Sequence, residues 1–188
     1  NQSRNTDTNN LGKTGIPLFI QQSGTLLLLT FLSPILLITM VCIRMESPGA
    51  ALFSQVRVGV RGRRFMLYKF RSMRTADDPK YVDTSTIRSD REGVCKKLFN
   101  DPRITKVGAF IRKYSIDELP QLLNVLKGDM VLIGPRPALP NETDQYSLKA
   151  CGRLEAVPGL TGLWQVSGRA DTTFEEQIDL DLEYVKQK

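Results

Sequence analysis

The strongest pattern along the chain is an uncharged apolar run, GTLLLLTFLSPILLITMVCI, from Gly24 to Ile43. As a helix rising about 1.5 Å per residue, it is long enough to cross a ~30 Å hydrocarbon core. No small-residue A-x-A site follows it, so it reads as a retained membrane segment rather than a cleaved leader. Ser33-Pro34 interrupts its middle. Proline lacks a backbone donor and crowds the carbonyl four residues back, so a kink is expected, with the Ser33 hydroxyl bonding a carbonyl freed there. Pattern alone leaves two arrangements: a kinked span, which is the simpler, and a helix-break-helix hairpin that enters and leaves by one face. Arg4 and Lys13 precede the run, and Arg44, Arg57, Arg61, Arg63 and Arg64 follow it. Basic residues on both sides suit the hairpin.

Beyond this segment the periodicities shorten. Val56, Val58 and Val60 alternate with Arg57, Gly59 and Arg61, and Phe65, Leu67 and Phe70 follow Arg61-Gly62. That pattern predicts a β-hairpin over Leu52 to Arg74. Residues 75–100 are polar and predict a surface loop with some helix. Ile104, Val107 and Ile111 share one helical face. SIDELPQLLNVLKGD, 115–129, predicts a helix opened by Ser115 and closed by Gly128. VLIGPRPALP, 131–140, reads as a short buried strand entering a Pro-stiffened loop. VPGLTGLWQVSGR, 157–169, reads as a Gly-rich loop with the chain's single Trp, and an acidic helix starts at Phe174.

Composition narrows the chemistry. The 188 residues are 41% hydrophobic and 24% charged, enough for one folded domain. The net charge of +6 points to an anionic partner, whether a phosphorylated ligand, an acidic membrane surface or nucleic acid. The three cysteines, Cys42, Cys95 and Cys151, form no CxxC pair, which fits a reducing, cytoplasm-facing location. Histidine is absent, so no imidazole base and no His-ligated metal is available. Carboxylates must supply acid–base and metal chemistry, and Arg, Lys and backbone N–H groups must bind anions.

Asp117 and Glu118 are the obvious carboxylates. Read on the residues alone, the helix-start role comes first, since acidic first turns are common and the dipole there stabilises an anion. Lys69, Arg71, Arg112, Lys113 and Arg136 supply cations for a phosphate cradle. Neither GxxxxGK[ST] nor GxGxxG occurs, and GPRP and PGLTG serve equally well as structural turns.

Taken in order, KFRSM, NDPRITKVGAFIRKYSIDELPQ, NVLKGDMVLIGPRP and PGLTGLWQVSGR resemble the bacterial monotopic phosphoglycosyl transferases. The resemblance runs from about Ser33 to Val185. It implies an enzyme that moves a sugar-1-phosphate from a UDP-sugar to polyprenyl (undecaprenyl) phosphate and releases UMP, the first membrane step of O-antigen or polysaccharide assembly. By resemblance, Asp117 is the nucleophile that forms a phosphosugar-aspartyl intermediate and contacts Mg²⁺, and Glu118 acts beside it as a base. Lys69, Arg71 and Arg112 bind phosphate. Arg136, Pro137, Gly159, Thr161 and Gly162 bind the nucleotide sugar, and Asp181 and Tyr184 match a late D-x-x-Y motif of unassigned role. Ser33 and Pro34 match the break of a re-entrant membrane helix, which displaces the span.

The expected fold is α+β and helix-rich. A polar tail, 1–15, leads into a re-entrant helix-break-helix anchor, 16–48. The anchor packs on a cytosolic catalytic domain, 49–188, with a short β-hairpin and amphipathic interfacial helices. Expected partners are a UDP-sugar, polyprenyl phosphate and the phospholipid bilayer of the bacterial inner membrane, with the site on its cytoplasmic face. No nucleic acid is expected, and a homodimer stays open. The chain resembles the minimal catalytic module, and its stop at Lys188 without a helix cap suggests further sequence in the family's pattern. Two rivals stand beside this reading. One is a non-catalytic anchored module binding anionic lipid or nucleic acid through the basic hairpin; the other is a one-step transferase using the same residues.

Overall fold

The fold is that of a computed structural model, described for residues 16–85, 98, 100–167 and 173–187. The polar tail over 1–15, most of the expected loop over 86–97 and the end of the Gly-rich stretch at 168–169 lie outside the described residues. Backbone contacts divide the chain into two units. One takes in Asn1–Leu28, Val56–Met66 and Leu122–Lys188; the other takes in Leu29–Gln55 and Leu67–Gln121. The architecture is helix-rich α+β with two small two-stranded sheets.

The apolar run forms helix α1, Leu18–Glu46, which continues through Pro34 as one element and contributes to both units. Pro34 cannot donate to the carbonyl of Thr30, and the Ser33 hydroxyl donates to that carbonyl instead, at 2.8 Å. The expected release of a carbonyl and its repair by Ser33 are thus both present. Only 11% of the most apolar 18-residue window of α1 is buried. A core helix would be covered on most sides; α1 is covered along one stripe, through Thr25, Leu29, Leu32, Leu36, Thr39 and Ile43. Phe19, Leu27, Phe31, Leu37, Ile38 and Met45 remain exposed.

Strands β1, Leu52–Val58, and β2, Arg64–Phe70, form the expected hairpin around a 3-10 turn at Val60–Gly62, where Arg61 has φ 51° and Gly62 φ 78°. Its facing differs from the simple alternation. Arg57 is buried while Val56 is exposed, because the Arg57 guanidinium donates inward to the Pro137 carbonyl at 3.2 Å.

In the second unit, Ile43 of α1, Ala51, Phe70 and Ile111 form a core to which Leu36, Met40, Val107 and Ile116 add. Helix α2, Lys106–Lys113, presents Val107 and Ile111 to this core as the periodicity predicts, and its Thr105 cap accepts from Gly108 N at 2.8 Å. Position 108 needs glycine: a Cβ there would meet the Ser72 carbonyl oxygen at 2.0 Å. The residues 75–85 that are described hold turns and no helix.

The SIDELPQ stretch departs from a single α-helix. Ser115 has φ 57°, Ile116–Gln121 form a 3-10 helix, and only then does α3, Leu122–Lys127, begin. Pro120 has no N–H for the Ile116 carbonyl, which keeps this first turn out of the α pattern. Glu118 N donates to the Ser115 backbone carbonyl at 3.2 Å. Gly128, φ 76°, closes α3 as expected.

In the first unit, β3, Val131–Ile133, pairs in parallel with β4, Gly159–Thr161, in the register Val131 to Gly159 and Ile133 to Thr161. β3 is less buried than expected, since Ile133 is exposed. Short helices α4, Pro140–Thr143, α5, Leu148–Cys151, and α6, Leu163–Ser167, belong to the same unit. The acidic helix is α7, Phe174–Lys186, started by a Thr173–Glu176 capping box.

Candidate active site

The five predicted catalytic and phosphate-binding residues fall in the second unit: Lys69 near the end of β2, Arg71 just after it, Arg112 in the last turn of α2, and the Asp117–Glu118 dyad in the 3-10 turn. Lys69 Nζ donates to Glu118 Oε1 at 2.7 Å, with both side chains partly buried. The Asp117 carboxyl is pushed above the ordinary aspartate range by burial. Lys69 and Arg112 oppose that rise, while the neighbouring Glu118 adds to it. Burial thus opposes the stabilisation of the Asp117 anion expected at a helix start. A single 3-10 turn contributes little dipole, and desolvation outweighs it. Asp117 is a half-buried carboxyl beside the Lys69–Glu118 pair and under the electrostatic pull of Lys69 and Arg112, the setting of a reactive group more than of a cap.

Ser115 immediately upstream occupies the left-handed region, where an L-residue costs on the order of 1–2 kcal/mol. This strained residue re-aims the chain between α2 and the dyad, so Arg112 and Asp117 come from two elements joined by a sharp corner.

Arg71 does not join the cluster as expected. Its guanidinium is buried and donates to the Ser47 carbonyl at 2.8 Å and to the Pro48 carbonyl. These carbonyls directly follow α1, and Gly49 at φ 102° leaves room for the guanidinium. Glu46, which the sequence reading missed, ties the same junction to α2 by accepting from Lys106 N and Val107 N, each at 2.7 Å. Its only sequence signal is that it is the first acid after the apolar run. Lys69 and Arg112 remain as the cations acting on Asp117. A surface cavity lined by Tyr81, Asp83, Thr84 and Arg103 lies elsewhere in this unit and includes no dyad residue; the charged cluster is the better site on chemical grounds.

The predicted nucleotide-sugar residues and the D-x-x-Y pair belong to the first unit. Arg136 is exposed and its guanidinium stands 5.8 Å from the centroid of the Trp164 ring, a cation–π placement. Pro137 is buried. Gly159 and Gly162 have a packing reason: a Cβ at 159 would lie 2.1 Å from Gly134 N, and one at 162 would lie 2.6 Å from the Gly134 carbonyl oxygen. Thr161 is exposed at the end of β4. Asp181 is fully buried and pairs with Arg153 at 2.5 Å; burial pushes its carboxyl up to about 6 against the pull of Arg153. Tyr184 donates to the Ile133 carbonyl at 2.6 Å. Arg57 and Arg153 were missed in the sequence, where nothing distinguishes them from surface arginines.

No three Asp, Glu, Cys or His side chains converge on one point among the described residues. The dyad nevertheless fits Mg²⁺ in its usual mode, with one or two carboxylates completed by water and substrate phosphates.

The second unit thus holds a carboxylate dyad with Lys69 and Arg112 acting on it, and the first holds a GPRP segment backed by the Gly-rich strand β4. Residues 16–188 match the bacterial sugar transferase family, and the chain belongs to that family. It is 51% identical over 140 residues to the galactosyl transferase CpsE of Streptococcus agalactiae, covering 74% of this chain and 31% of that protein. It is 48% identical over 143 residues to the undecaprenyl-phosphate galactose phosphotransferase of Salmonella typhimurium, covering 73% of this chain and 30% of that protein. With the exopolysaccharide production protein ExoY of Rhizobium meliloti it shares 39% identity over 161 residues, 84% of this chain and 71% of ExoY. The chain thus spans about a third of the length of the first two relatives.

Proposed function

We propose that the chain transfers a sugar-1-phosphate from a UDP-sugar to polyprenyl phosphate by a two-step covalent route. The observation that carries this reading is the half-buried Asp117 next to Glu118, whose carboxylate accepts from Lys69 Nζ at 2.7 Å. Family membership and the names of the relatives support the substrate class. In the first step an Asp117 Oδ attacks the β-phosphorus of the donor. The new O–P bond forms as the bond to the α-phosphate breaks, and UMP leaves with the electron pair. In the second step a phosphate oxygen of the polyprenyl acceptor attacks the same phosphorus. The aspartyl–phosphorus bond breaks, Asp117 is regenerated as a carboxylate, and a polyprenyl-diphosphate-linked sugar is released.

Lys69 and Arg112 offset the charge of the transferred phosphoryl group, and Glu118, anchored by Lys69, takes the acceptor's proton where that phosphate is protonated. Mg²⁺ held at Asp117 would supply further neutralisation of the diphosphate. The polyprenyl tail of the acceptor stays in the bilayer, which requires the site to lie at the interface. The reading therefore includes α1 as a re-entrant anchor in the bacterial inner membrane, with the site on the cytoplasmic face. Each end of α1 is tied to the folded backbone of its own unit. Gln21 accepts from Leu132 N and Gln22 donates to the Leu126 carbonyl at one end, and Glu46 caps α2 at the other.

The test is mass spectrometry of the protein after UDP-galactose or UDP-glucose and Mg²⁺ are added without lipid acceptor. A phosphohexose adduct on Asp117, with one UMP released per chain, is expected. UMP release without an adduct, or full turnover in Asp117→Asn, would overturn the covalent route.

A further inference from the structure

The GPRP segment is held by its backbone at almost every residue. Tyr184 Oη donates to the Ile133 carbonyl at 2.6 Å, Gly134 N to the Thr161 carbonyl at 2.8 Å and Gly159 N to the Pro135 carbonyl at 2.8 Å. Arg57 Nη1 donates to the Pro137 carbonyl at 3.2 Å and Val58 N to the Ala138 carbonyl at 2.9 Å. The carbonyl of Arg136 itself accepts from Arg153 Nη2 at 3.0 Å. A loop built only to turn the chain would not need a donor from four different elements.

Arg153 is the least expected of these donors. It lies in the 3-10 turn Gly152–Glu155 and is buried, and its fork meets three groups: the Arg136 carbonyl, the Tyr146 hydroxyl at 3.0 Å and Asp181 at 2.5 Å. A buried ion pair is weak evidence for stability, because desolvating two charges cancels much of their attraction. The desolvated Asp181 shows that cancellation in its raised pKa. What the pair does achieve is orientation: a planar fork with its partners engaged has one position. The peptide it holds is the one that bears the exposed Arg136 guanidinium over the Trp164 face.

We propose that Arg153, oriented by Asp181 of the D-x-x-Y motif, is a positioning residue for donor recognition. It fixes the Arg136 peptide so that the guanidinium is presented over Trp164 to a phosphate of the nucleotide sugar. This rests on the reading above that the chain uses a UDP-sugar, and it gives the late motif a role through the loop rather than in the chemistry.

Trp164 is the chain's single tryptophan, so its fluorescence reports the placement of Arg136 without any substrate. The full chain in detergent micelles is compared as wild type, Arg136→Ala, Arg153→Gln and the double variant. Arg136→Ala is expected to shift the Trp164 emission and to lower kcat/KM for UDP-galactose or UDP-glucose about tenfold, the loss of one charge-assisted hydrogen bond. In a two-step mechanism kcat/KM for undecaprenyl phosphate stays unchanged. Arg153→Gln should reproduce both effects, and the double variant should add no further loss, because both changes remove one function. Additive losses, or an Arg153→Gln emission identical to wild type, would overturn the proposal. If Arg136→Ala leaves donor kcat/KM intact while Arg153→Gln still shifts the emission, the positioning stands and the donor role of Arg136 fails. Should Arg153→Gln not fold, Arg153→Lys decides: it keeps the charge beside Asp181, but one ammonium cannot span all three partners. The same emission shift is then expected, and wild-type emission overturns the proposal.

Discussion

Arg71→Met distinguishes a structural guanidinium from a phosphate ligand. The side chain is 6% exposed, and it donates to the carbonyls of Ser47 and Pro48 where α1 ends. Hydrogen bonds from a charged donor contribute about 1.5–3 kcal/mol each, so two amount to about 3–6 kcal/mol. Burial lowers the pKa of Arg71, the mark of a desolvation cost that methionine avoids while keeping most of the apolar stem. A net loss of about 2–4 kcal/mol remains. For a chain of 188 residues, at about 2–4 °C per kcal/mol, the unfolding midpoint should drop by roughly 5–15 °C. Circular dichroism melts in micelles read this directly, alongside UMP release at a temperature where both proteins are folded. Donor kcat/KM is expected to stay within about threefold of wild type. An unchanged midpoint with a hundredfold loss of donor kcat/KM would refute the reasoning, since the guanidinium would then serve phosphate.

Asp117→Asn should abolish turnover, by about 10³-fold or more, yet raise the unfolding midpoint at pH 7. The folded chain binds the Asp117 proton more tightly than the unfolded chain does. Stability therefore falls as pH rises through the window above the ordinary aspartate value, and asparagine escapes that cost; a lower midpoint would contradict the desolvation argument. Asp181, raised from 3.8 to about 6, has the same sign. Its contribution is complete below 3.8 and is lost by about 6, a fall of up to about 3 kcal/mol in urea unfolding free energy that should disappear in Asp181→Asn. Gly159→Ala would put a Cβ 2.1 Å from Gly134 N and 2.6 Å from Gly134 Cα, and should destabilise by about 3 kcal/mol or more in the same assay. A near-neutral result would mean that β3 and β4 are not in this register.

Elements whose signal is local were legible in the sequence. The uncharged apolar run is α1, Arg61-Gly62 is the hairpin turn, and Val107 and Ile111 mark the inner face of α2. Lys69, Arg112 and Asp117 were grouped in the sequence by the family resemblance, since the residues alone favoured a cap at Asp117. What could not be read was the reach of long side chains. Charge and spacing do not tell which carbonyl an arginine will meet, so Arg57, Arg71 and Arg153 passed for surface or ligand cations. The parallel pairing of β3 with β4 was hidden for a related reason, since it is made by three-residue strands far apart in sequence. The α-helix expected from Ser115 failed on Pro120, whose missing donor outweighs the favourable residues around it.

Those internal arginines change what the net charge of +6 implies. Arg57, Arg71 and Arg153 are buried on backbone carbonyls, and Arg74 and Arg103 pair with Asp78 and Asp101. At the dyad, Lys69 and Arg112 face Asp117 and Glu118, so the cluster is formally neutral when both carboxylates are ionised. A donor diphosphate would add about two negative charges to a partly buried neutral site, which is costly without a counter-charge. One divalent cation restores the balance, so chelation with EDTA should suppress UMP release at least ~100-fold and Mg²⁺ should restore it. Lys69→Met makes the cluster net negative. It should therefore lower the half-saturating Mg²⁺ concentration while raising donor KM at fixed Mg²⁺, because the metal gains attraction and the donor loses it. Full turnover in EDTA, or a higher Mg²⁺ requirement in Lys69→Met, would show that positive charge from elsewhere in the chain neutralises the donor.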